Sequence, residues 1–187
     1  MQISPTPIII VTGHPATGKT TLANILAQEL VLPLIWKDSF KETLAEALGW
    51  STDEWSRKLS VASWALLYQQ VEILAKAGVP FIAEGNFEPT YATKRWQQLM
   101  ASYPLRLIQI RCETQPETLL MRYRARITSG ERHPIHRDGA QDDTFQTLIR
   151  QGHIGWIDVD STRLSIETAT LTVEQYVTMA ATIRGLL

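Results

Sequence analysis

The chain has 187 residues, of which 44% are hydrophobic, enough for one domain of ordinary size with a substantial core. The formal net charge of -1 and the pI of about 6.4 exclude a global basic field that would hold nucleic acid nonspecifically. The only cysteine, Cys112, excludes an internal disulfide framework.

No export signal is recognisable, and no apolar stretch approaches the roughly eighteen residues that span a bilayer. A lone cysteine suits a reducing compartment. We therefore expect a soluble, cytoplasmic protein. No linker, internal repeat or low-complexity tract divides the sequence, so we expect a single domain over residues 1–187.

Short apolar runs alternate with helical patterns along the whole chain, which is typical of βα units on a parallel sheet. The predicted strands cover residues 8–12, 33–36, 80–84, 105–111 and 156–159. The first run is β-branched throughout, as expected of a parallel strand that is buried on both faces. The pattern predicts an α/β fold with about five parallel strands flanked by helices.

The helical patterns differ in length. A long helix is predicted to begin near Ser51, which suits an N-cap, and to end at Gly78 before Pro80. Shorter helices are predicted after Lys19 and over residues 40–48, 89–101 and 116–127. Between residues 128 and 142 the sequence turns polar, and such a segment buries little surface. We expect it to form a small, mobile lid outside the core.

Residues 13–20 read GHPATGKT, which matches the phosphate-binding pattern G-x-x-x-x-G-K-[ST] between a strand and a helix. Gly13 and Gly18 permit a backbone whose N–H groups point at phosphate oxygens, next to a helix N-terminus. Lys19 brings a charge to the β and γ phosphates, and the Thr20 hydroxyl is placed to ligate Mg²⁺. The residues expected to bind the nucleotide here are Gly13, His14, Pro15, Ala16, Thr17, Gly18, Lys19, Thr20 and Thr21.

A phosphate loop alone is compatible with a motor, a switch GTPase, a small-molecule kinase or a nucleotide sensor. The chain has little room for the extra helical subdomain of a hexameric motor, and the guanine-reading pattern Asn-Lys-x-Asp is absent. Kinases remain. A kinase needs cations around the migrating phosphoryl group, Mg²⁺, a lid that excludes water, and an acceptor hydroxyl held in line.

Two acids follow predicted strands at the sheet edge where ligands bind in open α/β folds. Asp38 follows the second strand, where it would accept the proton of an acceptor hydroxyl or, alternatively, cap the helix over 40–48. Glu84 ends the third strand before Gly85 and Asn86, where it would orient Mg²⁺ or its waters or, alternatively, be a surface acid.

Two arginines four residues apart, Arg122 and Arg126, would share one helix face just before the polar lid, with Arg124 turned away. Clustered guanidinium groups bind phosphate oxygens and stabilise transition-state charge, so we expect at least one of these arginines to contact phosphate. The alternative is a solvated helix face with Glu113 and Glu117.

These segments together resemble one family. The phosphate loop, the step from Trp36 to Glu42, the run from Glu84 to Phe87 and the segment from Arg122 to Asp138 look like the bacterial P-loop kinase-like ATPases. Those proteins are similar to chloramphenicol phosphotransferase, zeta toxin and the kinase domain of polynucleotide kinase. The resemblance implies a three-layer P-loop NTPase fold with a small lid, and ATP as the nucleotide.

By the same resemblance, Asp38 is the base, Glu84 is the carboxylate beside the metal, and Arg122 and Arg126 are lid cations. It also implies an adenine pocket near residues 160–162. Many members of the family carry Asp where this sequence has Glu84, which leaves open whether Glu84 contacts magnesium directly or through water.

Several residues carry weaker indications. His14 is expected to contribute mainly its backbone N–H, and His133 and His136 are candidates for contacts to phosphate or acceptor rather than for a zinc site. Four early tryptophans either wall an apolar acceptor pocket or pack in the core. They are Trp36, Trp50, Trp55 and Trp64.

The sequence therefore predicts an ATP-dependent kinase that phosphorylates a hydroxyl of a small-molecule or nucleotide-like acceptor. Its catalytic residues would be Lys19, Asp38, Arg122 and Arg126, with Thr20 and Glu84 on the metal. The alternative is a nucleotide-gated ATP-binding protein or toxin-system partner, in which ATP orders the lid and little phosphotransfer follows.

Overall fold

The computed structural model describes residues 4–130, 132–136 and 142–187. Within these ranges five strands form one sheet in the order β2-β3-β1-β4-β5, and every strand pair is parallel. The strands are β1 (Thr6–Thr12), β2 (Leu34–Trp36), β3 (Phe81–Glu84), β4 (Leu105–Glu113) and β5 (Ser161–Glu167). The predicted α/β fold with a five-stranded parallel sheet is confirmed.

Helices cover both faces of the sheet. They are α1 (Lys19–Leu30), α2 (Lys37–Leu48), α3 (Asp53–Lys76), α4 (Pro89–Ser102), α5 (Pro116–Ser129), α6 (Asp142–Arg150) and α7 (Val173–Arg184). The sequence patterns did not predict α6 or α7. None of the helices in the described ranges combines the length and the apolar character that crossing a membrane requires.

The central strand β1 divides the core into two layers, because successive side chains of a strand point to opposite faces. Ile8 and Ile10 pack with α3 and α4, where Leu67, Val71 and Trp96 are buried. Ile9 and Val11 pack on the other face with buried residues of α1 and α7. Helices, sheet and helices thus form the three layers expected, and the carboxyl ends of β1 and β3 meet at one edge.

The long helix α3 begins one residue later than the sequence suggested. Its N-cap is Thr52, whose side chain accepts a hydrogen bond from Trp55 N at 3.3 Å, and not Ser51. The helix ends at Lys76, and Gly78 adopts a φ of +66° shortly after its end. This is the glycine stop that the sequence predicted.

The predicted fifth strand over residues 156–159 is wrong, because the strand at that edge is β5, Ser161–Glu167. Within residues 156–159, Ile157 is buried without joining the ladder. The Gln109 side chain donates to the Ile157 carbonyl and accepts from the Ile157 N–H, both at 2.9 Å. A side-chain amide thus satisfies the two backbone groups that a neighbouring strand would otherwise bond.

Within the polar segment, Ile135 and His136 are buried, whereas residues 128–130 are exposed, as the sequence predicted. A short 3₁₀ turn, Pro134–His136, lies against α2 and α3, and Ile135 is fully buried beside Ala45 and Leu59. The Ser56 hydroxyl of α3 donates to the Ile135 carbonyl at 2.8 Å. Other residues of the predicted lid, including Arg137 and Asp138, lie outside the described residues.

Candidate active site

The loop between β1 and α1, here called the phosphate loop (residues 13–20), has a backbone that requires glycine. Gly13 has a φ of +151°, and a Cβ there would lie 2.6 Å from the Cys112 carbonyl oxygen. Gly18 has a φ of +80° and Ala16 one of +65°, in the left-handed region that L residues rarely adopt. The phosphate loop therefore makes a tight turn from β1 into α1 and packs closely against β4.

The inner amides of the phosphate loop are available to an anion. Among the described residues, Thr17 is the one residue between 14 and 19 whose N–H donates to another backbone carbonyl, that of His14 at 3.3 Å. The helix α1 starts at Lys19 without a side-chain cap. Several N–H groups and a helix N-terminus thus converge without partners, which is the arrangement that binds phosphate.

Long-range hydrogen bonds hold the phosphate loop. The Thr168 hydroxyl, just after β5, donates to the carbonyls of Thr17 and Glu113. The His14 ring donates from Nε2 to the Gly152 carbonyl at 2.6 Å, and burial lowers the pKa of His14. The imidazole therefore anchors the loop, a role that the sequence did not indicate. Pro15 lies half-buried in the same loop.

Lys19, Thr20 and Glu84 meet where the phosphate loop faces the end of β3. The Thr20 hydroxyl donates to Glu84 Oε2 at 2.9 Å, and Lys19 Nζ lies 3.8 Å from Glu84 Oε1. Glu84 is 3% exposed, and burial raises its pKa although Lys19 opposes the rise. The alternative of a surface acid is thereby excluded.

This hydroxyl and carboxylate fit Mg²⁺. Across the described ranges no group of three His, Cys, Asp or Glu side chains could hold a metal by itself. Mg²⁺ bound to a nucleotide takes one or two protein oxygens and obtains its other ligands from phosphates and water. A bound cation would also favour the ionised form of the buried Glu84.

Asp38 lies in the first turn of α2 at the same sheet edge and is surrounded by cations. Arg132 Nη2 donates to its Oδ2 at 2.8 Å, and Lys37 Nζ donates to its Oδ1 at 3.3 Å. Burial alone would raise the pKa of Asp38, but the positive charges of Lys37 and Arg132 hold it well below the usual range. Asp38 does not cap the helix, because the N-cap position is Trp36.

Behind Asp38, His136 joins the packed 3₁₀ turn to α2. Its Nε2 donates to Glu42 Oε1 at 2.7 Å, and its Nδ1 lies 3.9 Å from Asp38 Oδ1. Burial lowers the pKa of His136 to about 3 and raises that of Glu42. The sequence suggested contacts of His136 to phosphate or acceptor, whereas the structure places it between two carboxylates.

The two arginines of α5 face one large cavity, here called the arginine cavity. It measures about 780 Å³ and is lined by Lys19, Thr20, Arg122, Arg126 and Arg132, among others. Arg122 also donates to the Ala169 carbonyl at 2.9 Å, whereas Arg124 is exposed on another face. The predicted shared face of Arg122 and Arg126 is therefore present beside the phosphate loop.

The adenine pocket expected near residues 160–162 is wrong. Residues 161 and 162 begin β5 at the amino edge of the sheet, opposite the phosphate loop, and residue 160 precedes them. A cavity of about 430 Å³ instead adjoins the phosphate loop at the carboxyl end of β5. Its walls are Ala16, Gly18, Thr21, Ile25, Arg122, Thr168, Leu171 and Tyr176.

Two further cavities lie on the other side of Lys19. The smaller one, here called the polar chamber, measures about 120 Å³. Its walls are Lys19, Lys37, Asp38, Trp64, Glu84, Gly85 and Asn86. The larger one, here called the aromatic pocket, measures about 430 Å³. Its walls are Val61, Trp64, Tyr68, Asn86, Phe87, Glu88, Tyr91 and Ala92.

The four early tryptophans separate into two groups. Trp64 lines both of these cavities, as the hypothesis of a pocket walled by tryptophans predicted. Trp50 instead packs on the cluster around Ile135, Trp36 belongs to β2, and Trp55 is 41% exposed on α3. Only Trp64 of the four therefore contacts the cavities described here.

Comparison with known proteins agrees with this geometry. The model of one family, AAA_33, described as an AAA domain, matches residues 8–149. A solved "putative kinase" from Chloroflexus aurantiacus j-10-fl is 36% identical, with a TM-score of 0.86 over 99% of this chain and 100% of that one. A comparison of the sequence with curated proteins found no match.

More distant solved structures share the fold alone. A shikimate kinase from Bacteroides thetaiotaomicron is 18% identical, with a TM-score of 0.57 over 97% of each chain. A gluconokinase from Sinorhizobium meliloti 1021 is 16% identical, with a TM-score of 0.55 over 97% of this chain and 95% of that one. The parallel sheet with its phosphate loop is thus a kinase-like P-loop fold.

Proposed function

This chain belongs to the AAA_33 family and has a kinase-like P-loop fold, and we propose that it transfers the γ-phosphoryl group of ATP to a hydroxyl of a small molecule. One observation carries the proposal. Lys19 of the phosphate loop and Asp38 of α2 line the same polar chamber, with Glu84 between the two elements. The lysine that would bind phosphate and the carboxylate that would activate a hydroxyl therefore face the same small cavity.

ATP would bind as the donor substrate across the phosphate loop. The free amides of the loop and Lys19 would hold its β and γ phosphates, and its base would enter the cavity beside Leu171 and Tyr176. Thr20 and Glu84 would hold Mg²⁺, which neutralises phosphate charge when bound. Arg122 and Arg126 line the cavity that the phosphates would face.

The transfer step involves one bond formed and one broken. The acceptor oxygen bonds to the γ-phosphorus while the bond from that phosphorus to the β–γ bridging oxygen breaks, and ADP leaves with the electron pair. The acceptor proton passes to Asp38. Lys19 and the arginines offset the negative charge that spreads over the transferred oxygens.

The low pKa of Asp38 is compatible with this role. In a loose phosphoryl-transfer transition state, positioning and electrostatic stabilisation contribute most of the rate, and a strong base is not required. In the structure Arg132 occupies one oxygen of Asp38, so an acceptor hydroxyl would share or replace that contact.

We further propose that residues 128–142 act as the lid over the donor, and that residues 1–187 form one domain.

The variant Asp38→Asn distinguishes phosphoryl transfer from nucleotide binding. A screen of hydroxyl-bearing metabolites, nucleosides and antibiotics for an ATP-dependent gain of one phosphoryl mass would identify an acceptor. With that acceptor, Asp38→Asn is expected to lower kcat at least about 100-fold, as loss of a general base does, and to keep ATP affinity. The matched control is Asp160→Asn, an exposed acid at the opposite sheet edge.

The same variant tests the alternative of a nucleotide-gated binding protein. The pairing of Asp38 with Arg132 favours that alternative, since it occupies the carboxylate that a base would need. Unchanged transfer in Asp38→Asn would remove Asp38 from the chemistry. ATP binding without transfer to any compound of the screen would contradict the kinase and favour the gated binder.

A further inference from the structure

The aromatic pocket is built from two helices and the turn between β3 and α4. Trp64 and Tyr68 come from α3, and Phe87 precedes α4. Apart from Asn86 and Glu88, its walls are aromatic or aliphatic side chains. Its volume of about 430 Å³ lies within the range of roughly 300–1,000 Å³ typical of small-molecule sites.

The aromatic walls are held in place by one another. The Trp64 and Phe87 rings meet edge to face with centroids 5.2 Å apart, and Tyr68 lies 6.5 Å from Phe87. Behind them Trp96, fully buried, lies 6.0 Å from Phe87. Because these rings pack on a buried partner, the pocket is formed before any ligand enters.

Trp64 also connects the aromatic pocket to the polar chamber. Its ring lies so close to Gly85 that a Cβ on that residue would be 2.9 Å from the ring. Trp64 and Asn86 line both cavities, and Asp38 lies in the chamber. The two cavities therefore adjoin at these shared residues, with Asp38 and Lys19 among the walls of the chamber beyond them.

We propose that the acceptor is an alcohol with a planar aromatic body, which lies in the aromatic pocket while its hydroxyl enters the polar chamber. This inference rests on the proposed function. A sugar or polyol would place hydroxyls against Val61, Phe87 and Ala92, whose side chains carry no hydrogen-bonding group. An acidic acceptor would meet the exposed Glu88 carboxylate, so a neutral or cationic body is favoured.

Indole-3-ethanol and glycerol form the test pair, because each carries a primary hydroxyl and only one carries an aromatic body. With ATP and Mg²⁺ we expect kcat/KM for indole-3-ethanol to exceed that for glycerol at least 100-fold. Trp64→Ala should lower kcat/KM for indole-3-ethanol at least tenfold, chiefly through KM. The KM for ATP should remain unchanged, since Trp64 lies outside the arginine cavity.

Two other variants guard against a folding artefact. Val61→Gln changes a pocket wall that is 72% exposed. Like Trp64→Ala, it should lower kcat/KM for indole-3-ethanol. Trp55→Ala removes a tryptophan of the same helix that lies outside the pocket, and it should behave as wild type. Calorimetric binding of indole-3-ethanol alone, compared among the same variants, does not depend on transfer.

The outcomes separate this inference from the proposed function. Efficient transfer to glycerol or gluconate, abolished by Asp38→Asn and unaffected by Trp64→Ala, would overturn the aromatic acceptor and leave the kinase intact. Binding of indole-3-ethanol that requires Trp64 and Val61, without phosphorylation of any alcohol, would support the pocket and overturn the kinase. No saturable binding of indole-3-ethanol to the wild type would overturn the inference directly.

Discussion

The His136 side chain is a buried neutral imidazole between Glu42 and Asp38. Burial lowers its pKa to about 3, although the negative charge of Asp38 opposes this shift. The nearby positive charges lower the pKa further; they are those of Arg132, Lys37 and Lys41. An unfolded chain would bind a proton at this residue below a pH of about 6.5. Acidification therefore favours the unfolded state between these two pKa values.

We expect the free energy of unfolding to fall by up to about 2 kcal/mol between pH 7.5 and 5.0 through His136 alone, since each pKa unit is worth about 1.36 kcal/mol. His136→Gln, which keeps a donor for Glu42, should lose this part of the pH dependence. Urea unfolding at both pH values measures it, with the half-exposed His153→Gln as control. If the free energy of unfolding changes equally between the two pH values in the wild type and in His136→Gln, the imidazole is not buried in its neutral form.

At the scale of elements, the 3₁₀ turn Pro134–His136 attaches part of the proposed lid to α2 and α3. Ile135 is fully buried beside Ala45 and Leu59, and the Ser56 hydroxyl binds the Ile135 carbonyl. The neighbouring Arg132 contacts Asp38. The turn thus holds a cation of the lid region at the proposed base.

Ile135→Ala should loosen this turn, because truncating a buried isoleucine costs about 2–5 kcal/mol. We expect faster amide hydrogen exchange over residues 132–136 and a transfer rate lowered at least about tenfold, with ATP affinity kept, since positioning controls phosphoryl transfer. Ile127→Ala, on the 37% exposed Ile127 of α5, is the matched control. Wild-type exchange and transfer in Ile135→Ala would refute the anchoring role.

How far the sequence predicted these elements depends on how local their causes are. The phosphate loop was predictable because its strand, glycines, lysine and helix follow one another directly in the sequence. The docking of Ile135 was not, since its partners Ala45 and Leu59 lie far away in the sequence. The strand β5 was missed because most of its residues are polar and exposed at a sheet edge, whereas the more apolar run before it contains the buried Ile157, whose backbone bonds the Gln109 side chain.

Across the whole molecule, three of the cavities adjoin in the order that the proposed transfer reaction needs. The arginine cavity and the polar chamber share Lys19, and the polar chamber and the aromatic pocket share Trp64 and Asn86. The sequence predicted Lys19, Asp38 and Glu84 at one sheet edge because parallel strands end together there. It also predicted the shared face of Arg122 and Arg126, but it could not predict which of the four tryptophans lines a cavity, because that depends on how α3 packs in the tertiary fold.

Calorimetric titration of ATP in the presence of Mg²⁺ tests the phosphate loop most directly. We expect saturable binding of about one ATP per chain, weakened at least tenfold, or by about 1.4 kcal/mol, in Lys19→Ala because the β and γ phosphates lose their cation. The absence of saturable binding to the wild type, or undiminished binding to Lys19→Ala, would contradict the assignment of residues 13–20 as the nucleotide site.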